Sequence, residues 1–184
     1  MLRNGVHVLR EIRELYLGQG MLPYESGVTH LEYALQSAQL AERECGGVTL
    51  VVSALLHDIG HLITIKLSPH PESEDTEHEH VAYAWLKGKM RDDVCEVIRS
   101  HVACKRYLCC RDPGYCGGLS EDSRQSLTYQ GGPMSTEEAN SFERFECLPQ
   151  TLKVRRWDDA AKIVGLATPA FNHYEDHIAQ VCLI

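Results

Sequence analysis

Apolar residues recur at helical spacing along almost the whole chain, and no segment alternates in a way that demands a strand. Val8, Ile12 and Leu15 predict a first amphipathic helix, stopped by Gly18 and Gly20. Leu31, Ala34, Leu35 and Ala38 form the inward stripe of a second, from about Thr29 to Cys45, closed by Gly46-Gly47. The stretch from Thr49 to about Ile63 is apolar nearly all round (Leu50, Val51, Val52, Ala54, Leu55, Leu56, Leu62), which predicts a third helix at the centre of a bundle. Pro69 to Glu79 is polar and acidic and reads as a loop. A fourth helix, from about Glu77 to Met90, carries Val81, Ala82, Trp85 and Leu86. A fifth, capped by Asp92 or Asp93, buries Val94, Val97, Ile98 and Val102. Arg111 to Gly118 is a turn-rich excursion. Ser120 opens the next helix with Glu121 and Asp122 in its first turn, and Gly131-Gly132-Pro133 ends it. Ser135 and Glu138 make a capping box for another, and a last strong helix is expected around Thr151 to Val164. The expectation is one all-α domain over residues 1–184.

Composition narrows the class. At 184 residues, 43% hydrophobic and 24% charged, the chain is ordinary globular material. A formal net charge of -8 argues against a nucleic-acid or anionic-membrane surface. No apolar run is read as approaching the ~20 residues of a membrane span, and Met1 to Arg13 mixes charge into its apolar positions, unlike an export signal. The expected location is therefore cytoplasmic. The 8 cysteines then read as free thiols rather than a disulfide framework. Cys104, Cys109, Cys110 and Cys116 cluster without paired C-x-x-C spacing, so buried thiols are preferred over a zinc site.

The histidines carry the chemistry. His57-Asp58-Ile59-Gly60-His61 lies in the most apolar helix, where an acid and two imidazoles are expensive unless something pairs them. One turn supplying a carboxylate and an imidazole suits a divalent or trivalent metal. His78 and His101 each have apolar helical neighbours, and Asp158 follows Trp157 in Arg155-Arg156-Trp157-Asp158-Asp159. Together these residues make a site for two metals, with Asp58 offering an oxygen to each. His80, on another face, is read as solvated. Lys105 falls one turn after His101 on the same face, and Ser123, Ser126 and Gln130 fall at i, i+3 and i+7 on one face of their helix. A buried cation with hydroxyl donors beside a metal pair makes an oxyanion pocket. Arg106 is read as a surface or structural pair.

Several blocks carry a resemblance over about Tyr24 to Lys162: Leu31-Glu32-Tyr33-Ala34-Leu35-Gln36, Leu55-Leu56-His57-Asp58-Ile59-Gly60-His61, His78-Glu79, His101-Val102-Ala103-Cys104-Lys105-Arg106-Tyr107-Leu108, Tyr129-Gln130-Gly131-Gly132-Pro133-Met134 and Arg156-Trp157-Asp158. In these the chain resembles the HD-domain superfamily, and within it the mixed-valent diiron oxygenases that cleave phosphonates (the 2-amino-1-hydroxyethylphosphonate dioxygenase family, distantly related to myo-inositol oxygenase). The resemblance implies a helical HD bundle with a dinuclear Fe(II)/Fe(III) centre and O2 as co-substrate. It implies that His57, Asp58 and Asp158 hold the first iron and Asp58, His78 and His101 the second. It further implies that His61 lines the substrate pocket, that Lys105, Ser123, Ser126 and Gln130 hold the phosphonate, and that Tyr24 closes over the second iron. Glu25 is the candidate for a substrate amine.

One position departs from the family. Where it has a histidine ligand to the first iron, this chain has Tyr33. Three readings stand: Tyr33 ligates ferric iron as a phenolate, His30 from the same helix substitutes, or the first site is weakened. The third is favoured. The expected reaction is O2-dependent cleavage of a small 1-hydroxyalkylphosphonate, such as 2-amino-1-hydroxyethylphosphonate or its N-trimethyl analogue, to a carboxylic acid (glycine or glycine betaine) and phosphate. A metal-dependent phosphohydrolase is the alternative, and a binding protein without turnover is a third reading.

Overall fold

The computed structural model describes residues 3–24, 27–68 and 77–183. Every regular element among them is helical: α1 (Arg3–Leu17), α2 (His30–Arg43), α3 (Gly47–Leu56), α4 (Ile59–Leu67), α5 (His78–Leu86), α6 (Asp92–Arg111), α7 (Pro113–Gly118), α8 (Glu121–Tyr129), α9 (Thr136–Phe142), α10 (Leu148–Ala160) and α11 (Glu175–Val181), with short 3-10 turns at Gln19–Met21 and Phe171–Tyr174. Glu25 and residues 69–76, most of the expected acidic loop, lie outside the described residues.

α3 is the axis. Leu50 through Leu56 are all buried, and α3 packs against α2, α6, α10 and α11. Around it a single large apolar cluster draws Val8, Ile12 and Leu15 from α1, Ala82 and Leu86 from α5, Val94, Val97 and Ile98 from α6, and Val154 and Trp157 from α10. Start signals in the sequence are realised in the backbone. Thr29 accepts from Glu32 N while Glu32 accepts from Thr29 N, and Ser135 and Glu138 form the same reciprocal pair. The Gly131-Gly132 turn that ends α8 has φ of +90° and +71°, the left-handed region in which only glycine is at ease.

The expected third helix is in fact two. Between α3 and α4 the chain leaves helical geometry at Asp58 (φ -102°, ψ 10°), whose carbonyl accepts from His61 N at 3.1 Å. Asp58 occupies the N-cap of α4 but makes no side-chain capping bond. Its carboxylate is turned into the protein interior, a use that competes with the N-terminal N–H groups it would ordinarily satisfy. Gly60 explains why the break sits where it does. A Cβ there would lie 1.9 Å from the His78 carbonyl oxygen, so α5 can begin against α4 only because residue 60 has no side chain.

The same segment corrects the expectation about apolar runs. Gly47–Leu67, 21 residues, is long and apolar enough by length and composition to cross a membrane. Here it is broken at its middle and mostly buried inside the fold, as a core helix pair is. Further corrections are local. The N-cap of α6 is Arg91, with Asp92 and Asp93 in the first turn where their charge meets the helix dipole. The 113–118 excursion contains a helical turn capped by Asp112, which accepts from Gly114 N and Tyr115 N. α5 ends at Leu86, and α10 runs Leu148–Ala160 and stops before Lys162, whose φ is +76°. α11 was not anticipated; Phe171, Tyr174, Ile178 and Val181 close the core beside α1 and α3.

Candidate metal centre and substrate pocket

Four helical segments converge where α3 breaks. His57 ends α3, and its Nδ1 bonds the Ala54 carbonyl at 2.8 Å; His101 in α6 does the same to Ile98 at 2.7 Å. An Nδ1–H committed to a carbonyl leaves Nε2 as the lone-pair nitrogen on each ring. His78, at the start of α5, points its Nε2 at the same place. Asp58 Oδ1 lies 3.2 Å from His78 Nε2 and 3.4 Å from His101 Nε2, and the two nitrogens lie 3.0 Å apart. All three side chains are buried.

Burial is the largest influence on these imidazoles and disfavours their charge. It holds His57 down at about 4 and keeps His101 below its usual value, with His78 adding repulsion at His101. His78 alone is raised, because Asp58 and Glu79 together outweigh its burial. Asp58 itself is buried, which would raise it, yet His57 and His78 hold it well below the carboxylate range. The donor set is therefore a carboxylate beside one imidazole whose charge it favours, His78, and two kept neutral by burial, His57 and His101. Two imidazole nitrogens 3.0 Å apart and aimed at one carboxylate oxygen fit a metal ion of the iron or zinc type, with carboxylate favouring the harder ions.

On the other side of Asp58 the donors are His57, Asp158 and Tyr33. His57 Nε2 is 3.7 Å from Asp58 Oδ1, 3.7 Å from Asp158 Oδ2 and 3.2 Å from the Tyr33 hydroxyl. That hydroxyl donates to Asp158 Oδ1, and Arg155 Nη1 holds Asp158 Oδ2 at 2.7 Å. Tyr24 donates its hydroxyl to the free oxygen of Asp58, Oδ2, at 2.8 Å.

The centre forms the floor of a cavity of about 130 Å³. His61 stacks on His78 with ring centroids 4.0 Å apart and faces into it. Its walls carry Lys105, Ser123, Ser126 and Gln130, as the helical spacing predicts. Lys105 is only 4% exposed and donates to Ser126 Oγ at 2.8 Å. The Ser123 hydroxyl accepts from Ser120, and Gln130 Oε1 is buried without a hydrogen-bond partner among the described residues. Tyr24, Tyr33, Asp58, His78, His101 and Asp158 line the same cavity, and His57 stands behind it. His80 is exposed and Arg106 is structural, donating to the Gly132 carbonyl at 2.8 Å and pairing with Glu138. His30 lies against Tyr24 and His61, with ring centroids at 4.3 and 6.0 Å. Sequence reasoning missed Arg155, Lys162 and Tyr129 as cavity residues. Arg155 could have been found, because it stands three residues before Asp158 on the same helical face.

Helices presenting a His-Asp pair, two further histidines and a distal aspartate to one buried point define a metal-binding helical domain. The HD-domain family matches residues 29–106. The chain is 38% identical over 175 residues to hydroxymethylphosphonate dioxygenase of Gimesia maris, covering 92% of this chain and 85% of that one. It is also 38% identical over 169 residues to 1-hydroxy-2-(trimethylamino)ethylphosphonate dioxygenase (glycine-betaine-forming) of Leisingera caerulea, covering 91% and 83%. The chain belongs to the HD-domain phosphonate oxygenases.

Proposed function

We propose that this protein cleaves the carbon–phosphorus bond of a small 1-hydroxyalkylphosphonate with O2, releasing phosphate and a carboxylic acid, at a mixed-valent pair of irons. His57, Asp58 and Asp158 would hold the first ion and Asp58, His78 and His101 the second, within one HD domain spanning 1–184. Bound iron with O2 supplies the oxidising power. The observation that carries the reading is a buried lysine, Lys105, one turn from His101 and in the same small cavity as the histidine–aspartate floor.

The remaining chemistry belongs to the chain. Lys105 neutralises the phosphonate, and the Ser126 and Ser123 hydroxyls with the side-chain amide of Gln130 orient its oxygens. His61, kept neutral by burial and by its neighbour His78, offers a nitrogen to the substrate hydroxyl. Tyr24 fixes the carboxylate of Asp58 so that Oδ1 stays aimed at the imidazoles. A cavity of about 130 Å³ suits a substrate with a short carbon chain. Free thiols throughout fit a reducing compartment, and the cytoplasm is the proposed location.

Phosphate release from hydroxymethylphosphonate, 2-amino-1-hydroxyethylphosphonate and its N-trimethyl analogue, with Fe(II) and with or without O2, tests this. Turnover of at least one that stops under strict anaerobiosis is expected. Equal release without O2 would overturn it and point to phosphoester-type hydrolysis at a metal-activated water.

A further inference from the structure

Tyr33 is 2% exposed, and its hydroxyl is spent entirely on the metal centre. It touches Asp158 Oδ1 and lies 3.2 Å from His57 Nε2. Those are the two residues that, with Asp58, form the first metal position. Donors bonded to one ion at about 2.1 Å sit about 3 Å apart when adjacent and about 4 Å apart when opposite. The separations here, 3.2 Å from the phenol oxygen and 3.7 Å from each carboxylate to His57 Nε2, fall in that interval. His30, the other residue of α2 that could have replaced a histidine ligand, has its ring contacts with Tyr24 and His61 among the described residues.

The surroundings suit a negatively charged oxygen. Arg155 sits 2.7 Å from the far oxygen of Asp158 and offsets the charge that two aspartates and a phenolate would gather. Lys162 Nζ stands 5.1 Å from the Tyr33 ring centroid, and Tyr24 stacks on the ring at 5.1 Å and 18°, holding it in one orientation.

We propose that Tyr33 is a ligand of the first iron through its phenol oxygen, so that this position is bound by one nitrogen and three oxygen residues and selects the ferric ion. The inference rests on the reading of the first metal position given above. On binding, the phenol proton leaves to solvent and the O–Fe bond takes its place, with no change in oxidation state. An anionic oxygen in place of a neutral imidazole favours the harder trivalent ion over the divalent one, so a ferric ion at the first position is held more tightly than an imidazole there would hold it.

The experiment is visible absorption and iron stoichiometry on the full chain loaded with Fe(II) under argon and then oxidised. A phenolate-to-ferric charge-transfer band is expected in the unmodified protein. Tyr33→Phe removes the band and one iron per chain, Tyr33→His removes the band and keeps both irons, and Tyr24→Phe keeps the band. A colourless ferric protein with full iron, or a band that survives in Tyr33→Phe and disappears in Tyr24→Phe, overturns the assignment. One iron per chain in the unmodified protein also overturns it, since the phenol would then merely fill the empty position. Phosphate release in parallel separates this from the reaction: colour without O2-dependent turnover of any hydroxyphosphonate leaves Tyr33 a ligand and removes the proposed activity.

Discussion

On the α5–α6 side of Asp58, His78 and His101 turn two ring nitrogens toward one carboxylate oxygen, with the nitrogens 3.0 Å from each other. On the α2–α10 side, both oxygens of Asp158 are already engaged, one by the Tyr33 hydroxyl and one by Arg155. The first is a single imidazole–imidazole hydrogen bond beside one carboxylate oxygen; the second is a closed set in which both oxygens of one carboxylate are held. The two halves share Asp58 yet answer different demands. Without a metal, the first rests on one proton shared between two rings, and the second keeps both oxygens of Asp158 engaged. Metal loss is therefore expected to loosen α5 against α6 before it disturbs α2 against α10.

The severest test removes what the halves share. Asp58→Ala is expected to take iron content to near zero and phosphate release to background, because both positions lose the carboxylate they share and the His78–His101 side keeps only two ligands. Retention of one tightly bound iron in that variant, measured by elemental analysis, would mean that the halves bind independently. Next in size is Gly60→Ala. A methyl group 1.9 Å from the His78 carbonyl forces α4 and α5 apart, at about 3 kcal/mol or more of folding stability, with loss of iron from the His78 side first. Chemical denaturation and iron counts on one preparation read both effects.

Acid sharpens the comparison without mutation. The metal-free protein holds His57 at about 4, below the ~6.5 of an unfolded histidine, so between those values the unfolded chain binds more protons. Stability of the metal-free form should therefore fall as pH drops from about 6.5 to about 4, by roughly 2–3 kcal/mol from this group, and His101 and His61 act in the same direction. His78, raised by Asp58, has the opposite sign, its contribution being present at low pH and lost as pH rises through its folded value. A flat profile across that window would mean that the imidazoles are already protonated in the native protein.

Much of this centre was legible in the chain because it violates a rule of composition. Acids and imidazoles inside an apolar helix need a partner, and that logic picked out His57, Asp58, His78 and His101. Lys105 followed from its place one turn after His101. What stayed hidden is what periodicity does not encode. The stretch from Leu50 to Leu62 is apolar on both sides of the break, with no proline to mark it, and the one hint, Gly60, mattered only through its closeness to His78. Which way the Tyr33 phenol points, toward Asp158 and His57, is likewise not carried by its residue type, so three readings of it stood open. Arg155 read as one charge among the four of Arg155-Arg156-Trp157-Asp158-Asp159. α11 was the opposite case: Phe171, Tyr174, Ile178 and Val181 do recur at helical spacing, but across a 3-10 turn and a helix of only 7 residues that the core, rather than propensity, stabilises.

On the substrate wall, effects shrink to a single interaction. Lys105→Met should lower kcat/KM by about 30-fold, roughly 2 kcal/mol of charge-assisted binding, while leaving both irons bound. Lys105→Arg should restore part of it. An equal loss of iron would mean that the lysine supports the metal side rather than the anion.

The smallest expected effect lies outside both halves. Arg106 donates to the Gly132 carbonyl at 2.8 Å and pairs with Glu138 at 3.2 Å, while its own carbonyl accepts from Met134 N at 3.1 Å. It thereby ties α6 to the left-handed turn that ends α8, one residue beyond Gln130. Arg106→Ala removes the side-chain bonds but not the backbone one, so about 1 kcal/mol of stability should go. Iron content should stay unchanged on both sides of Asp58. The Gln130 amide, less firmly positioned, should raise KM a few-fold at nearly constant kcat. A large fall in kcat instead would mean that this turn reaches the metals, and that the centre is less self-contained than its two hydrogen-bonded halves indicate.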